Sequence, residues 1–240
     1  MDNILLIDPR GKRYLVSKEK KQLSTNLGNL DLSKIKKPGF YKTHIGHEFL
    51  AIKPSFSDSL EFCKRGPQAV LIKDASYIIS KTSIDPNSKV VDAGTGSGWL
   101  AAQLAKNSKE ITTYEKRPEF IKIANQNFKF LGLKNIKIKE KDIYEGIDEK
   151  NLDLITLDLS EPWKVPNLTK VLKTGAWISA YLPQTTQVQE FVKFISGQPD
   201  LLLEEVTEII KRDWQVSDRI CRPKSKMIAH TAFLVFARKI

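Results

Sequence analysis

At 240 residues, 41% hydrophobic and 28% charged, the chain can hold a mid-sized domain with its own core plus a small accessory one. No apolar run approaches the ~18 residues of a membrane span, the short apolar patch near the start fits neither a secretory nor a transit signal, and Cys63 and Cys221 make neither a disulfide framework nor a metal cluster; a cytoplasmic protein with no membrane association is expected. Net charge is +11, and residues 1–60 hold 11 Lys/Arg against 6 Asp/Glu while residues 205–240 hold 8 against 4, so the excess lies at the two ends, where it suits either a solvated surface or a polyanionic partner.

Residues 1–60 read as short β segments separated by turns: ILLID, PRGK, RYLVS, KKPG, then EFLAIKP ending in Pro54. From Ser76 onward strands and helices alternate. Strands are expected at Lys89 to Asp92, Ile111 to Glu115, Ile136 to Glu140, Leu152 to Leu157 and Ala176 to Leu182. Helices are expected at Trp99 to Lys106, Pro118 to Leu131, Asn167 to Leu172 and Thr186 to Ile195. Two long strands, Leu203 to Arg212 and Ala232 to Arg238, close the chain. This alternation predicts an α/β fold: a mostly parallel sheet with helices on both faces, finished by an antiparallel hairpin and preceded by a small β domain. Ligands of such sheets bind beyond the C-terminal ends of the strands.

One strand-to-helix junction carries the chemistry. Gly94-Thr95-Gly96-Ser97-Gly98 lacks the lysine of a phosphate-cradling P-loop and departs from the G-x-G-x-x-G spacing of pyrophosphate binding, so its ligand need not carry a phosphate. Glu115 ends the next strand, where a carboxylate can take both hydroxyls of a ribose. Asp142 follows the third strand, Asp158 ends the fourth and Asp92 precedes the loop. Carboxylates gathered at one sheet edge suit a cationic ligand carrying an adenosine and a sulfonium, and repel nucleotide polyphosphates.

From Lys89 to Leu182 this arrangement resembles the class I (Rossmann-like) S-adenosylmethionine methyltransferases. Four further stretches, RGPQAVLIKDASYII (65–79), LDLSEPW (157–163), YLPQTTQVQEFV (181–192) and HTAFLVFARK (230–239), are similar to those of the tRNA adenine-N1 methyltransferases that modify position 58 of the T-loop, archaeal type, which also act on position 57. The resemblance implies a small β domain over 1–62 for RNA binding and oligomerisation, a methyltransferase domain over 63–240, S-adenosylmethionine as cofactor, tRNA as partner and a homotetramer.

It also implies site residues. Asp158 and Tyr181 are the catalytic candidates. Gln68, Ser76, Gly94, Thr95, Gly96, Ser97, Gly98, Glu115, Arg117, Asp142, Ile143 and Asp158 are the cofactor candidates. Adenine N1 has a free lone pair, so its attack on a sulfonium methyl needs no proton removal and leaves a cationic ring; a carboxylate nearby stabilises that charge and can accept a hydrogen bond from N6. Where family members often carry Tyr or His two residues before the Lys73-Asp74 pair, this chain has Leu71, so either another aromatic such as Tyr77, Trp99 or Trp163 walls a base drawn out of its stack, or target affinity relies more on backbone contacts and on Asp158. Lys12, Arg13, Lys34, Lys36, Lys37, Arg219, Arg222, Lys224 and Lys226 are phosphate-contact candidates. His44, His47 and His230 form no metal spacing or triad. Two other readings stay open on these residues: another methyltransferase, of the protein isoaspartate or precorrin type, and a noncatalytic RNA-binding subunit.

Overall fold

The computed structural model describes residues 3–66 and 69–240. The chain divides into two compact units, one running to Lys64 together with Phe130–Gly132, the other comprising Arg65–Lys129 and Leu133–Ile240.

In the first unit, β1 (Asn3–Ile7), β2 (Arg13–Ser17), β5 (Gly39–Lys42) and β6 (Glu48–Ile52) form an antiparallel sheet in the order β2-β1-β6-β5. A separate hairpin joins β3 (Gln22–Thr25) to β4 (Gly28–Asp31). Ile4, Leu6, Val16, Leu30, Leu32, Phe49 and Ala51 make its core. Helix α1 (Phe56–Glu61) follows Pro54 and starts with a capping box, in which Ser55 and Asp58 satisfy each other's backbone amides. Arg13 forms ion pairs with Asp58 and Glu61, which withdraws it from the predicted phosphate contacts.

The second unit opens with α2 (Ile72–Thr82), then runs β7 (Lys89–Ala93), α3 (Trp99–Ala105), β8 (Glu110–Glu115), α4 (Pro118–Leu131), β9 (Ile136–Glu140), β10 (Leu152–Leu157), β11 (Leu172–Leu182) and α5 (Thr185–Ser196). It ends with β12 (Leu201–Glu208), a two-stranded hairpin of β13 (Trp214–Ser217) and β14 (Ile220–Pro223), and β15 (Phe233–Lys239). The seven-stranded sheet has the order β12-β15-β11-β10-β7-β8-β9. Its first five strands in sequence, β7 to β11, pair in parallel, and β15 inserts antiparallel between β11 and β12. The order in which successive strands are added reverses between β7 and β10, the position at which open α/β sheets leave a crevice for ligand. The core beneath that crevice includes Val91, Ile155, Leu157, Ile178, Ala180 and Phe191. Among the described residues no helix is long and apolar enough to cross a membrane.

Three elements depart from expectation. Residues 167–171 form turns rather than a helix, because Asn167 sits at φ 60° in the left-handed region, where a right-handed helix cannot start. The strand expected from Ala176 begins at Leu172 and passes through Gly175 at φ 85°, and the pairing with β10 shifts register there as a bulge requires. The closing strands do pair, but β12 stops at Glu208 and the β13–β14 hairpin stands between it and β15.

Candidate active site

The turn after β7 has the conformation its glycines permit. Gly94, Gly96 and Gly98 have φ of 90°, 51° and 78°. A Cβ on Gly94 would lie 2.2 Å from the Asp158 carbonyl oxygen, and one on Gly98 would lie 2.5 Å from the Phe128 ring; each position needs glycine for closeness as well as for φ. The Gly94–Asp158 contact joins the ends of β7 and β10 at the crossover. Asp158 N–H donates to the Ala93 carbonyl at 2.9 Å, fixing the same junction.

A cavity of about 290 Å³ opens at these strand ends, lined by Gly94, Glu115, Arg117, Asp142, Ile143 and Asp158, together with Tyr114, Lys116, Lys141, Tyr144, Leu159 and Ser160. The first six were expected in the site. The other six come from the same strand ends: Leu159 and Ser160 lie in the LDLSEPW stretch, while Tyr114, Lys116, Lys141 and Tyr144 had no motif to mark them beyond their places near Glu115 and Asp142.

Glu115 organises the cavity's centre. It accepts hydrogen bonds from Gly96 N–H at 3.0 Å, from Lys116 and Arg117 N–H at 3.1 Å each, and from Arg117 Nε at 3.1 Å. Burial alone would raise its proton affinity, but Arg117 and the Gly96 amide outweigh that and hold it below the usual glutamate value. Arg117 therefore sits on Glu115, with its guanidinium 4.0 Å from the Phe120 ring centre. Asp142 caps a short 3-10 turn by accepting from Tyr144 N–H at 3.1 Å and pairs with Lys116 at 2.9 Å. Burial works against its ionised form, yet Lys116 and the Tyr144 amide leave it lowered.

Asp158 differs from both. It has no side-chain ion pair among the described residues; burial first, then the charge of Asp92, and to a lesser degree Glu115, push its carboxyl up to about 7 against the opposing pull of Arg117. Tyr181, near the end of β11, is pushed up to about 12 by burial and by the charges of Asp74 and Asp158, and is therefore a neutral phenol at physiological pH. The Asp158 charge is the smallest of the influences on Tyr181.

The remaining candidates separate. Thr95 Oγ1 lies 2.5 Å from Thr113 Oγ1 inside the protein, a supporting rather than ligand-facing position. Ser97 Oγ is buried and has no hydrogen-bond partner among the described residues, so it is a donor held in reserve at the glycine turn. Ser76 lies on the exposed side of α2, and Gln68 lies outside the described residues. Lys73 and Asp74 form a buried pair: Lys73 Nζ donates to Asp74 at 2.7 Å, to the Ile209 carbonyl at 2.6 Å and to Thr231 Oγ1 at 2.6 Å. That knot clamps the feet of the segment between β12 and β15 onto α2. His230, given no task from sequence, bonds Glu208 at 2.6 Å and the Pro183 carbonyl at 2.9 Å, which secures the same feet beside Tyr181.

Two of the three aromatics proposed to replace the missing ring, Tyr77 and Trp99, are engaged elsewhere, and the third is partly buried. Tyr77 donates to Glu205 at 2.5 Å and packs on Phe236. Trp99 is 3% exposed with Arg65 over its ring. Trp163 packs against the main core.

These features fit one ligand class. A carboxylate at the end of β8, a second after β9, a bare glycine turn and an unsatisfied buried hydroxyl suit an adenosine bearing positive charge. Comparison with known proteins agrees. Residues 59–219 match the family described as the tRNA methyltransferase complex GCD14 subunit. The tRNA (adenine(57)-N(1)/adenine(58)-N(1))-methyltransferase TrmI of Methanocaldococcus jannaschii is 36% identical over 267 aligned residues, covering 98% of this chain and 94% of that protein. The crystal structure of tRNA (m1A58) methyltransferase TrmI from Aquifex aeolicus superposes with a TM-score of 0.83 at 31% identity, over 100% of this chain and 97% of that one. A SAM-dependent O-methyltransferase from Thermotoga maritima gives a TM-score of 0.90 at 35% identity, over 100% and 93% of the two chains. Likeness of this extent sets the isoaspartate and precorrin readings aside, and the chain belongs to the GCD14 family of tRNA methyltransferases, within the class I S-adenosylmethionine-dependent fold.

Proposed function

We propose that this protein transfers a methyl group from S-adenosylmethionine to N1 of adenine 58 in the T-loop of tRNA, and to adenine 57 as well. The observation that carries the proposal is Asp158: a carboxylate without a cation partner, backed against the glycine turn at the sheet crossover and neighbouring the neutral hydroxyl of Tyr181.

When bound, S-adenosylmethionine supplies an electrophilic methyl on a sulfonium. Glu115 binds the ribose hydroxyls and Asp142, through the loop that ends in Ile143 and Tyr144, bounds the adenine side of the cavity. Gly94, Gly96 and Gly98 let the backbone approach the ligand, and Ser97 offers its unused hydroxyl. Arg117, which shares Glu115, must yield part of that contact to the ribose. Asp158 accepts a hydrogen bond from the exocyclic N6 of the target base, orients N1 and offsets the positive charge that develops on the ring. It does so only when ionised, so the acceptor site requires the deprotonated form of a carboxyl that titrates at about 7. Tyr181, a neutral donor, holds the other side of the base. With Glu115, Asp142 and Asp158 all lining one cavity, the noncatalytic reading has no support.

Two further parts of the proposal concern partners. Exposed Lys12, Lys34, Lys36 and Lys37 in the first unit and exposed Arg219, Arg222, Lys224 and Lys226 around β14 contact tRNA phosphates in the cytoplasm, without reading bases. The chain works as a homotetramer. Leu202 (50% exposed) and Val206 (43%) on edge strand β12, with Trp214 (55%) and Val216 (71%) on the projecting hairpin, support that reading, since apolar side chains on an open edge are suited to a second copy.

The test is incubation with methyl-labelled S-adenosylmethionine and unmodified tRNA transcript, followed by digestion and nucleoside mass spectrometry. Label in 1-methyladenosine, lost when A57 and A58 are both replaced, is expected. Label absent from RNA, or present in another nucleoside, refutes the acceptor.

A further inference from the structure

The first unit carries a cavity that the methyl transfer does not use. Its volume is about 470 Å³, within the roughly 300–1,000 Å³ of small-ligand sites, and it shares no lining residue with the cavity at the strand ends of the second unit. Three pieces of the chain supply most of its wall. One is the stretch from Ile35 to Pro38 ahead of β5, steadied by the Tyr41 hydroxyl, which donates to the Lys37 carbonyl at 2.8 Å. Another is the end of β6 at Ile52, with Lys53 and Pro54 after it. The last is Phe130–Gly132 at the end of α4, which belongs to the first unit.

The wall divides by chemistry. Lys18, Lys36, Lys37 and Lys53 stand on it, and among the described residues no Asp or Glu does. Lys36, Lys37 and Lys53 are exposed and have no carboxylate partner among those residues, so their charge is open to an outside anion. The floor is apolar: Ile4 and Ala51 are buried, while Ile35, Ile52, Phe130 and Leu131 are half-buried. The Phe130 ring has no aromatic or cation contact among the described residues, and is therefore a face without a partner. Beside it Gly132 takes φ +69°, and a Cβ there would meet nothing within 4 Å, so this corner of the cavity stays open. The carboxyl end of α4 also carries the partial negative charge of the helix dipole. An anion is disfavoured on that side and drawn to the lysines instead.

A lysine wall facing an unpartnered ring suits a ligand with an anionic part and a flat, stackable part. Nucleotides have both, and the chain belongs to a family of tRNA methyltransferases, so the polyanion at hand is RNA. We propose that this cavity takes one unpaired nucleotide of the tRNA, other than the reacting adenine: its base stacks on Phe130 and its phosphate lies among Lys36, Lys37 and Lys53. The inference rests on the reading of tRNA as substrate and adds a second contact to it. Stacking on an aromatic side chain tolerates every base, so the cavity selects for an unpaired position rather than for a sequence. A base held inside a duplex is excluded, since it must leave its stack to enter.

The experiment uses the full protein and an unmodified tRNA transcript, in filter binding across a salt series. Phe130→Ala lowers affinity about tenfold at every salt concentration with the slope unchanged, because stacking neutralises no phosphate. Phe130→Leu, which keeps apolar bulk, behaves alike and is the second route should the alanine variant fold poorly; Phe130→Tyr, which keeps the ring, binds as the parent does. Lys53→Gln reduces the salt slope by about 1. A blunt RNA duplex, which offers no unpaired base, is bound equally by the parent and by Phe130→Leu. A tRNA affinity unmoved in both Phe130→Ala and Phe130→Leu overturns the proposal, as does an equal loss on the duplex. A changed oligomeric state of the Phe130 variants in light scattering, with tRNA affinity intact, overturns it in favour of a second copy of this chain as the occupant. None of these readouts uses methyl transfer, so failure of the acceptor assignment shows separately, as absence of 1-methyladenosine with the parent protein.

Discussion

Replacing Gly94 by alanine tests the junction on which the site depends. The new Cβ would stand 2.2 Å from the Asp158 carbonyl oxygen, where real Cβ contacts essentially never fall below 3.0 Å, and the backbone would keep a φ of +90°. The left-handed conformation costs about 1–2 kcal/mol and the overpacking about 1–3 kcal/mol, so a loss of about 2–5 kcal/mol is expected. Gly96→Ala separates the two terms, since its φ is +51° but the nearest atom to its Cβ is 3.9 Å away; only the conformational ~1–2 kcal/mol applies. Denaturant unfolding of ligand-free protein measures both. The Asp158 backbone must also retreat by ~1 Å in Gly94→Ala, and a misplacement of that size costs on the order of 10²-fold in turnover. Equal stability of the two variants would refute the claim that β7 and β10 are locked together at Gly94.

Asp158→Asn is expected to keep cofactor binding and to lower turnover by ~10² or more, as for loss of one preorganised electrostatic group; single-turnover kinetics with saturating cofactor check it. The parent's turnover rises with pH through about 7 as Asp158 ionises, and its stability runs the other way. The folded-state value lies above the unfolded one, so the stability contributed by Asp158 is complete below about 4 and is lost as pH rises through about 7; pH-dependent thermal unfolding of the Asn variant loses that slope. Changing exposed Lys36 and Lys37 together lowers tRNA affinity and reduces its salt slope by up to about 2 without altering cofactor binding, as read by filter binding across a salt series. Burial pushes the Cys63 thiol up to about 11, whereas Cys221 is exposed; maleimide at neutral pH labels Cys221 alone in the folded protein and both after unfolding.

What the sequence determined by itself was the alternation of elements and the residues at strand ends, because both follow from local periodicity and from chain position. Strands β9 and β10 and helix α4 fall at the expected residues, and Gly94, Glu115, Asp142 and Asp158 meet at one cavity since parallel strands deliver their C-terminal ends to a common edge. Local rules failed where long-range packing set the backbone. The expected helix at 167–172 gave way to turns, the bulge at Gly175 depends on pairing with β10, and the insertion of β15 between β11 and β12 is a topological choice to which neighbouring residues do not commit. Side-chain partnerships were equally out of reach. Nothing in the order of residues says that Tyr77 and Trp99 are already engaged, that Arg13 pairs with Asp58 and Glu61, or that Lys73 reaches a carbonyl 136 positions away. The same holds for Asp92. Its residue type and place before the glycine turn are visible in the chain, but its burial and its two threonine donors, Thr113 and Thr156, arise only when β10, β7 and β8 come into register, because the energy of a buried polar group depends on what surrounds it rather than on what precedes it.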